Sequence, residues 1–201
     1  MQRTNIISDL MKEGAERASK AFSKLINKEV KIVLFNTAIK DLKSFKPKFG
    51  SEELVTGIYL PIEGELKGAI LLIFKKEEGL NLAKFLGEKI TSTPSSAEFS
   101  ALDISVLKEV GNILAGNYLT VLSNASKINV NAAIPRFNYD VISAVLKDIQ
   151  EGYTGNLKLE SALGVKFLSA IGLAAVEGYL LTLFEKESVE VLNGALVESK
   201  S

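Results

Sequence analysis

The sequence of 201 residues contains no cysteine and no histidine. Without cysteine, the chain can form neither a disulfide nor a thiolate nucleophile, and it has no thiolate ligand for a metal. Without histidine, it cannot supply the imidazole base of a serine triad or an imidazole ligand for zinc. Any catalysis must therefore use carboxylates, amides, hydroxyls or lysines, or chemistry that a partner brings with it.

The chain also lacks an excess of charge of either sign, because 24 lysines and arginines balance 24 aspartates and glutamates. A net charge of zero gives the protein no overall electrostatic attraction to nucleic acid or to a membrane surface. No apolar run reaches about 18 residues, and the first residues become charged without forming the hydrophobic segment of a signal peptide. We therefore expect a cytoplasmic globular protein that binds neither nucleic acid nor membrane.

The sequence does contain a weak internal repeat with a shift of 100 residues. Residues 5–35 align without a gap on residues 105–135, and each segment has the pattern of a long helix followed by a strand. Identities are few, but apolar residues fall at matched positions of one helical face: Ile6, Ile7, Leu10, Ala18, Ala21 and Leu25 in the first copy, and Val106, Leu107, Val110, Tyr118, Val121 and Ala125 in the second.

The remainder of each half is similar as well. Two β-rich runs and a short amphipathic helix follow in both halves, and GAILLIF at 68–74 resembles GYLLTLF at 178–184. A segment rich in serine, threonine and proline at 91–100 separates the halves. It ends in Ser100-x-x-Asp103, which predicts a capping box at the start of the second long helix.

These patterns predict an α+β fold with two pseudo-symmetric halves, each with a long helix and about three strands. We expect the helices to pack on one shared antiparallel sheet, because a lone three-stranded unit has too little core. We predict a single domain over 1–201, with one repeat at about 1–90 and the other at about 98–201. Only the second repeat has an extra amphipathic segment, residues 135–150.

One side of the second long helix carries a stripe of polar and small residues. At 100° per residue, the following lie within about 60° of one line: Ser105, Glu109, Asn112, Gly116, Thr120 and Ser123. Apolar residues cover the opposite side, so we expect the stripe to face water or a partner. A Glu-x-x-Asn pair alone on such a helix is usually only a solvated face, and a proline can merely end an edge strand.

The complete set of residues is more specific than any of its parts. Ser105-x3-Glu109-x2-Asn112-x22-Pro135 resembles the motif of the CheC/CheX/FliY chemotaxis phosphatases, D/S-x3-E-x2-N-x22-P. The sequence LKEVGNILAGNYLTVLS also resembles the helix of that family, and PRFNYDVISAVL is similar to the segment that follows the proline in CheC proteins. Length and duplicated layout favour a CheC-type protein over the single-unit CheX proteins, so the resemblance covers essentially the whole chain.

The resemblance implies a phosphatase that hydrolyses the phospho-aspartate of the response regulator CheY. Asn112 would position the attacking water, because a carboxamide both donates and accepts hydrogen bonds. Glu109 would anchor the lysine beside the regulator's phosphorylation site. Ser105 and Pro135 would support these two, and Gly116 would either make room for the regulator's loops or serve helix packing. We expect no cofactor of the protein's own, since the regulator would carry the Mg²⁺.

The first half departs from this motif. The 100-residue shift places Asn5, Asp9, Lys12 and Phe35 at the four motif positions. A lysine has no hydrogen-bond acceptor and cannot hold a water molecule as an amide does. Lys12 could present a cation to phosphate, although an ordinary solvated lysine is the simpler interpretation. We therefore predict one working site, in the second half, and a degenerate site in the first.

Two other functions stay open at this point. In CheC-type proteins the second half also binds the receptor-modifying deamidase CheD, and the contact here would be segment 137–150, with Asp140 as its polar residue. The apolar residues of that segment could equally be core: Val141, Ile142, Val145, Leu146 and Ile149. The protein would then be mainly a non-enzymatic adaptor, as a monomer or as a heterodimer with CheD. A flagellar-switch relative such as FliY would be expected to carry further segments at both ends.

Overall fold

The computed structural model describes residues 3–36, 50, 52–87, 98–152, 157–169 and 176–198. Its helices and strands follow one another in this order: α1 (Arg3–Ile26), β1 (Val30–Asn36), β2 (Leu54–Gly64), β3 (Gly68–Lys75), α2 (Lys76–Gly87), α3 (Ala101–Ser126), β4 (Val130–Ala132), β5 (Arg136–Val141), α4 (Ile142–Glu151), β6 (Leu157–Ser169), β7 (Val176–Glu185) and α5 (Lys186–Glu198). The predicted linker at 91–100 lies outside the described residues, except for its last three positions.

In the described part of the chain, the strands form one seven-stranded sheet whose pairs are all antiparallel. The order across the sheet is β1-β6-β7-β3-β2, and both β4 and β5 pair with the outer edge of β2. Strand β1 of the first half thus pairs with β6 of the second, while β4 and β5 of the second half pair with β2 of the first. The prediction of an α+β fold with a shared antiparallel sheet is confirmed.

The two similar segments at 68–74 and 178–184 lie in β3 and β7, which are neighbours at the centre of the sheet. Leu71 pairs directly with Leu181. These two residues also correspond to each other when GAILLIF is aligned with GYLLTLF. A pseudo-two-fold axis therefore passes between them and relates the two halves of the sheet.

Helices α1 and α3 pack against each other and against one face of this sheet. They approach closely at Gly14, where an added Cβ atom would lie only 2.6 Å from the Cα atom of Tyr118. The Tyr118 side chain is fully buried beneath this crossing. The contact between the helices thus depends on a residue without a side chain at position 14.

One residue that the periodicity assigned to the apolar face of α1 is exposed in the structure. Leu25 is 62% exposed, although its position in the helical periodicity predicted burial. The last turn of α1 is covered only on the side of Phe22 and Ile26, both buried, where the chain turns towards β1. Periodicity describes the face of a helix but not where the rest of the protein stops covering it.

Helix α4 covers the opposite face of the sheet. Ile142, Val145 and Ile149 are buried against β2, β3 and β7 in a second apolar cluster, and Val141 and Leu146 are partly buried. Of the two alternatives for these apolar residues, core is therefore the observed one. The segment predicted as one amphipathic stretch is also divided, since residues 136–141 form a strand before the helix begins. None of the described helices is long and apolar enough to cross a membrane.

Candidate functional site

The long helix α3 is held at both of its ends. At its start, the Ser100 hydroxyl accepts a hydrogen bond from the backbone N–H of Asp103, and the backbone N–H of Ser100 donates to the Asp103 carboxylate at 2.8 Å. At its end, Lys127 adopts a left-handed conformation and its backbone N–H donates to the carbonyl oxygen of Ser123 at 2.8 Å. The predicted capping box is confirmed, and each end of α3 has a capping hydrogen bond.

Gly111 brings the middle of α3 directly onto strand β2. A Cβ atom at this position would lie 2.6 Å from Ile58 Cγ2 and 3.1 Å from Leu60 Cδ1. Any larger residue would push the helix away from the sheet. Because Gly111 immediately precedes Asn112, the backbone that carries the asparagine is fixed against the sheet, and sequence reasoning had given Gly111 no role.

The polar stripe of α3 is turned towards the edge of the sheet. Helix α2 lies over the inner strands β7, β3 and β2, whereas α3 lies over β2, β4 and β5 at the edge. Val106 faces α2, since its Cγ2 atom is 3.6 Å from the place of an added Cβ atom on Gly87. Ser105 and Asn112 lie about 100–120° around the helix from Val106, on the side of the sheet edge and solvent.

Glu109 and Asn112 are both exposed and lie side by side on this stripe. The Asn112 Nδ2 atom donates to Glu109 Oε2 at 3.4 Å, a long and therefore weak hydrogen bond. Ser105 is exposed one turn before the glutamate. The structure thus places an accessible amide beside an accessible carboxylate.

The other stripe residues, Gly116, Thr120 and Ser123, differ in their surroundings. An added Cβ atom on Gly116 would meet no described atom within 4 Å, so packing within the described protein does not require a glycine there. Thr120 is exposed, and its hydroxyl donates to the Gly116 carbonyl oxygen at 2.7 Å. Ser123 is partly buried and donates to the carbonyl oxygen of Ile128 at 2.7 Å. Ser123 is thus less exposed than the other polar residues of the stripe, and its hydroxyl binds the loop that leads into β4.

Pro135 is buried in the short segment that joins β4 to β5 along the edge of β2. Ala132 pairs with Ile62 and Arg136 with Tyr59, so this segment lies opposite the middle of β2. A proline is tolerated here because an edge position needs no backbone donor on its outer side. Pro135 therefore lies beside the same part of β2 against which α3 packs.

An aromatic cluster that sequence reasoning missed connects the start of α3 to β5. The Phe99 ring centroid lies 5.2 Å from that of Phe137 and 5.5 Å from that of Tyr139, in edge-to-face arrangements. The Lys76 amine lies 5.5 Å from the Tyr139 ring centroid, and its hydrogen bond to Tyr139 raises the pKa of this lysine. The alternation Phe137-x-Tyr139 indicated a strand, but the partner Phe99 is distant in sequence. The cluster fixes the strand after Pro135 relative to the helix of Asn112.

The corresponding residues of the first half form a different arrangement. On α1, the Lys12 amine lies 3.6 Å from an Asp9 carboxylate oxygen, and the aspartate is exposed. Asn5 lies in α1, but its side chain is outside the described part of the structure. Phe35 packs over Gly164 of the paired strand β6, and the Lys166 amine lies 5.5 Å from its ring centroid. Phe35 therefore serves the contact between two strands.

Asp140 lies exposed in β5, and one of its carboxylate oxygens accepts the backbone N–H of Val141 at 2.7 Å. Nearby, the Asn138 amide donates to the Asp148 carboxylate at 2.5 Å and links β5 to α4. No described residues form a group of three or more acidic side chains that could hold a metal ion.

Comparisons with known proteins agree with this architecture. A model of the CheC-like family matches residues 102–139, which include Glu109, Asn112 and Pro135. The CheY-P phosphatase CheC of Bacillus subtilis (strain 168) is 27% identical over 154 residues, covering 73% of this chain and 71% of that protein.

Two solved structures extend the likeness to almost the whole chain. FliY of Thermotoga maritima has a TM-score of 0.73 at 15% identity, covering 98% of this chain and 97% of that chain. A CheX-CheY-BeF3-Mg²⁺ complex from Borrelia burgdorferi has a TM-score of 0.50 at 19% identity, covering 86% and 94%. These structural matches show the fold. The sequence matches add that residues 102–139 are similar to the CheC-like family and that most of the chain is similar to a CheC protein.

Proposed function

We propose that the protein is a hydrolase of two-component signalling, a phosphatase that removes the phosphoryl group from the aspartate of a CheY-type response regulator. The observation that carries the proposal is the exposed pair of Asn112 and Glu109, 3.4 Å apart on a helix fixed at both ends. The name of the B. subtilis relative, CheY-P phosphatase, supports the same activity.

In the proposed reaction, water attacks the phosphorus of the acyl phosphate and the bond between phosphorus and the aspartate oxygen breaks. The aspartate leaves as a carboxylate, inorganic phosphate forms, and the proton of the water passes to solvent. An acyl phosphate is already activated, so the main contribution of the enzyme is to hold the water in line. This chemistry requires neither of the two residue types that the sequence lacks.

Asn112 is suited to hold that water. Its amide nitrogen donates towards Glu109, so its carbonyl oxygen lies on the other side of the carboxamide and can accept a hydrogen bond from water. Because the side chain is exposed, a docked partner can reach it without any rearrangement of α3.

Glu109 would anchor the partner through a lysine beside its phosphorylation site. A carboxylate close to a phosphoryl group would repel it unless a cation from the partner stands between them. We expect the Mg²⁺ of the reaction to be bound by the regulator and not by this chain. A cytoplasmic location is part of the same proposal.

The direct test measures release of inorganic phosphate from purified, phosphorylated CheY, with and without the protein. Asn112→Ala should lower the stimulated rate about 100-fold or more, while the protein stays folded and still binds the regulator. Asn124→Ala is the matched control, because Asn124 is an exposed asparagine on the same helix but outside the stripe. Equal activity of Asn112→Ala and the wild type would contradict the proposal.

The adaptor function for CheD stays a prediction. Because Ile142, Val145 and Ile149 are buried in the core, a CheD contact on this segment would use exposed polar residues such as Asp140. A pull-down with CheD that compares the wild type with Asp140→Lys tests this contact. Unchanged binding would remove Asp140 as the contact, and a 1:1 complex would support the heterodimer.

A further inference from the structure

Ile134 is an isoleucine fixed in an exposed position beside the motif proline. Its side chain is 84% exposed, more than that of any other large apolar residue in the described part of the chain. Its neighbours are held in place, since the backbone N–H of Ala133 donates to the Pro61 carbonyl oxygen at 2.8 Å and Pro135 is buried. A single exposed apolar residue is ordinary on a protein surface, so its position must carry the argument.

Its position is on the sheet edge towards which the polar stripe is turned. The segment of Ile134 lies beside β2, at about the 4.8 Å spacing of neighbouring strands, and opposite Leu60 and Pro61. Helix α3 packs on the same part of β2, because Leu60 also contacts Gly111. Asn112 follows Gly111 directly. The catalytic pair and the exposed isoleucine therefore belong to one edge of the molecule.

We propose that Ile134 is a docking residue for the phosphorylated regulator, inserting into an apolar depression beside the regulator's phospho-aspartate. This inference rests on the proposed phosphatase function and adds a specificity determinant to it. Ser105, Glu109, Asn112 and Thr120, the exposed side chains of the stripe, are all polar or charged. A contact between exposed polar groups contributes little binding free energy, because it replaces hydrogen bonds that these groups already make with water.

A stable encounter between two proteins usually depends on a few apolar side chains that become fully desolvated. Ile134 can supply such a contact at low cost, because the backbone on both sides of it is already fixed. The isoleucine does not take part in the chemistry. Its loss should therefore change the affinity for the regulator and leave the rate at saturation unchanged.

The experiment compares Ile134→Asp and Ile134→Leu with the wild type in steady-state release of phosphate from phosphorylated CheY. Ile134→Asp should raise KM about tenfold and leave kcat within about twofold, as expected for losing the burial of one isoleucine. Ile134→Leu should restore most of the affinity. Val191→Asp is the matched control, because Val191 is a β-branched residue that is 50% exposed on α5.

A binding measurement with CheY activated by beryllofluoride and Mg²⁺ separates this inference from the proposed function. Weaker binding of Ile134→Asp, with normal binding of Val191→Asp, supports the docking role even if no phosphate is released. Unchanged KM and binding for Ile134→Asp, together with an inactive Asn112→Ala, would overturn the docking role alone. A fall in kcat at constant KM would also overturn it. If the wild type neither binds CheY nor releases phosphate, both proposals fail.

Discussion

Helices α1 and α3 have corresponding positions in the two halves of the protein, but their exposed faces carry different chemistry. On α3, an amide nitrogen of Asn112 lies 3.4 Å from the Glu109 carboxylate. On α1, the amine of Lys12 lies 3.6 Å from the Asp9 carboxylate. Both pairs have the same spacing of three residues, but only the amide also offers a hydrogen-bond acceptor.

The buried faces of the two helices share an identical residue where the helices meet. Ala15 and Ala115, which correspond under the 100-residue shift, are both buried where α1 and α3 meet. A substitution there must fit the partner helix, whereas Asn112 is exposed and Lys12 is partly exposed. The comparison teaches that two helices with a common buried contact differ on their exposed faces in whether a hydrogen-bond acceptor stands beside the carboxylate.

Asn112→Lys gives α3 the acid–lysine pair of α1 and should have the largest effect. Phosphate release from phosphorylated CheY should fall about 100-fold or more, because the ammonium group offers no acceptor for the attacking water. Asn124→Lys on the same helix should have normal activity. Retained activity of Asn112→Lys would show that the difference between the two helices does not lie in this residue.

Gly14→Ala should loosen the contact between the two helices. The added methyl group would lie 2.6 Å from the Cα atom of Tyr118, so one helix must shift. We expect the free energy of unfolding, measured with urea, to fall by about 1–3 kcal/mol. Gly194→Ala on α5 is the control, because no described atom lies within 4 Å of its added Cβ. An unchanged stability for Gly14→Ala would mean that the crossing can adjust freely.

Glu109→Gln keeps the size of the side chain and removes its charge. If Glu109 binds a regulator lysine, KM for phosphorylated CheY should rise about tenfold, and the salt dependence of KM should weaken. Glu16→Gln, an exposed glutamate on α1, should leave both quantities unchanged. A loss of kcat alone would instead indicate that Glu109 acts mainly by orienting Asn112.

Gly116→Ala should stabilise the protein, because the methyl group meets no described atom and alanine favours a helix. We expect the free energy of unfolding to rise by about 1 kcal/mol. If the glycine makes room for the regulator, KM should rise at the same time. A more stable variant with an unchanged KM would show that the regulator does not approach this position.

Lys12→Ala should have the smallest effect. Lys12 and Asp9 form an exposed ion pair, so the free energy of unfolding should change by no more than about 0.5 kcal/mol. Phosphate release should remain within about twofold of the wild type, as in Lys20→Ala, a control on the same helix. An inactive Lys12→Ala together with an active Asn112→Ala would place the working site on α1.

The sequence predicted those features of the structure that depend on residues a few positions apart in the chain. Ser100 and Asp103 predict the start of α3, because a capping box needs only residues three positions apart. The spacing of Glu109 and Asn112 predicts that they share one exposed face, which the structure shows. Their catalytic roles, and the division into two repeats at about 1–90 and 98–201, stay predictions.

The features that could not be predicted depend on contacts between distant parts of the chain. The exposure of Leu25 depends on where the neighbouring structure ends, and the Phe99–Tyr139 contact joins residues of different elements. The roles of Gly111 and Ile134 depend on how α3 and the β4–β5 segment meet β2. Periodicity within one segment carries no information about these distances.

Strands of the two halves pair with each other at both edges of the sheet, and this has a consequence for how far the halves depend on one another. Helix α3 packs on Ile58 and Leu60 of β2, and the segment of Pro135 runs along the same strand, which the first half contributes. The surroundings of Asn112 are therefore built from both halves, and the second half alone does not contain the strand on which its own long helix packs. A fragment that contains only residues 98–201 would leave Gly111 and the residues around it without their packing partner.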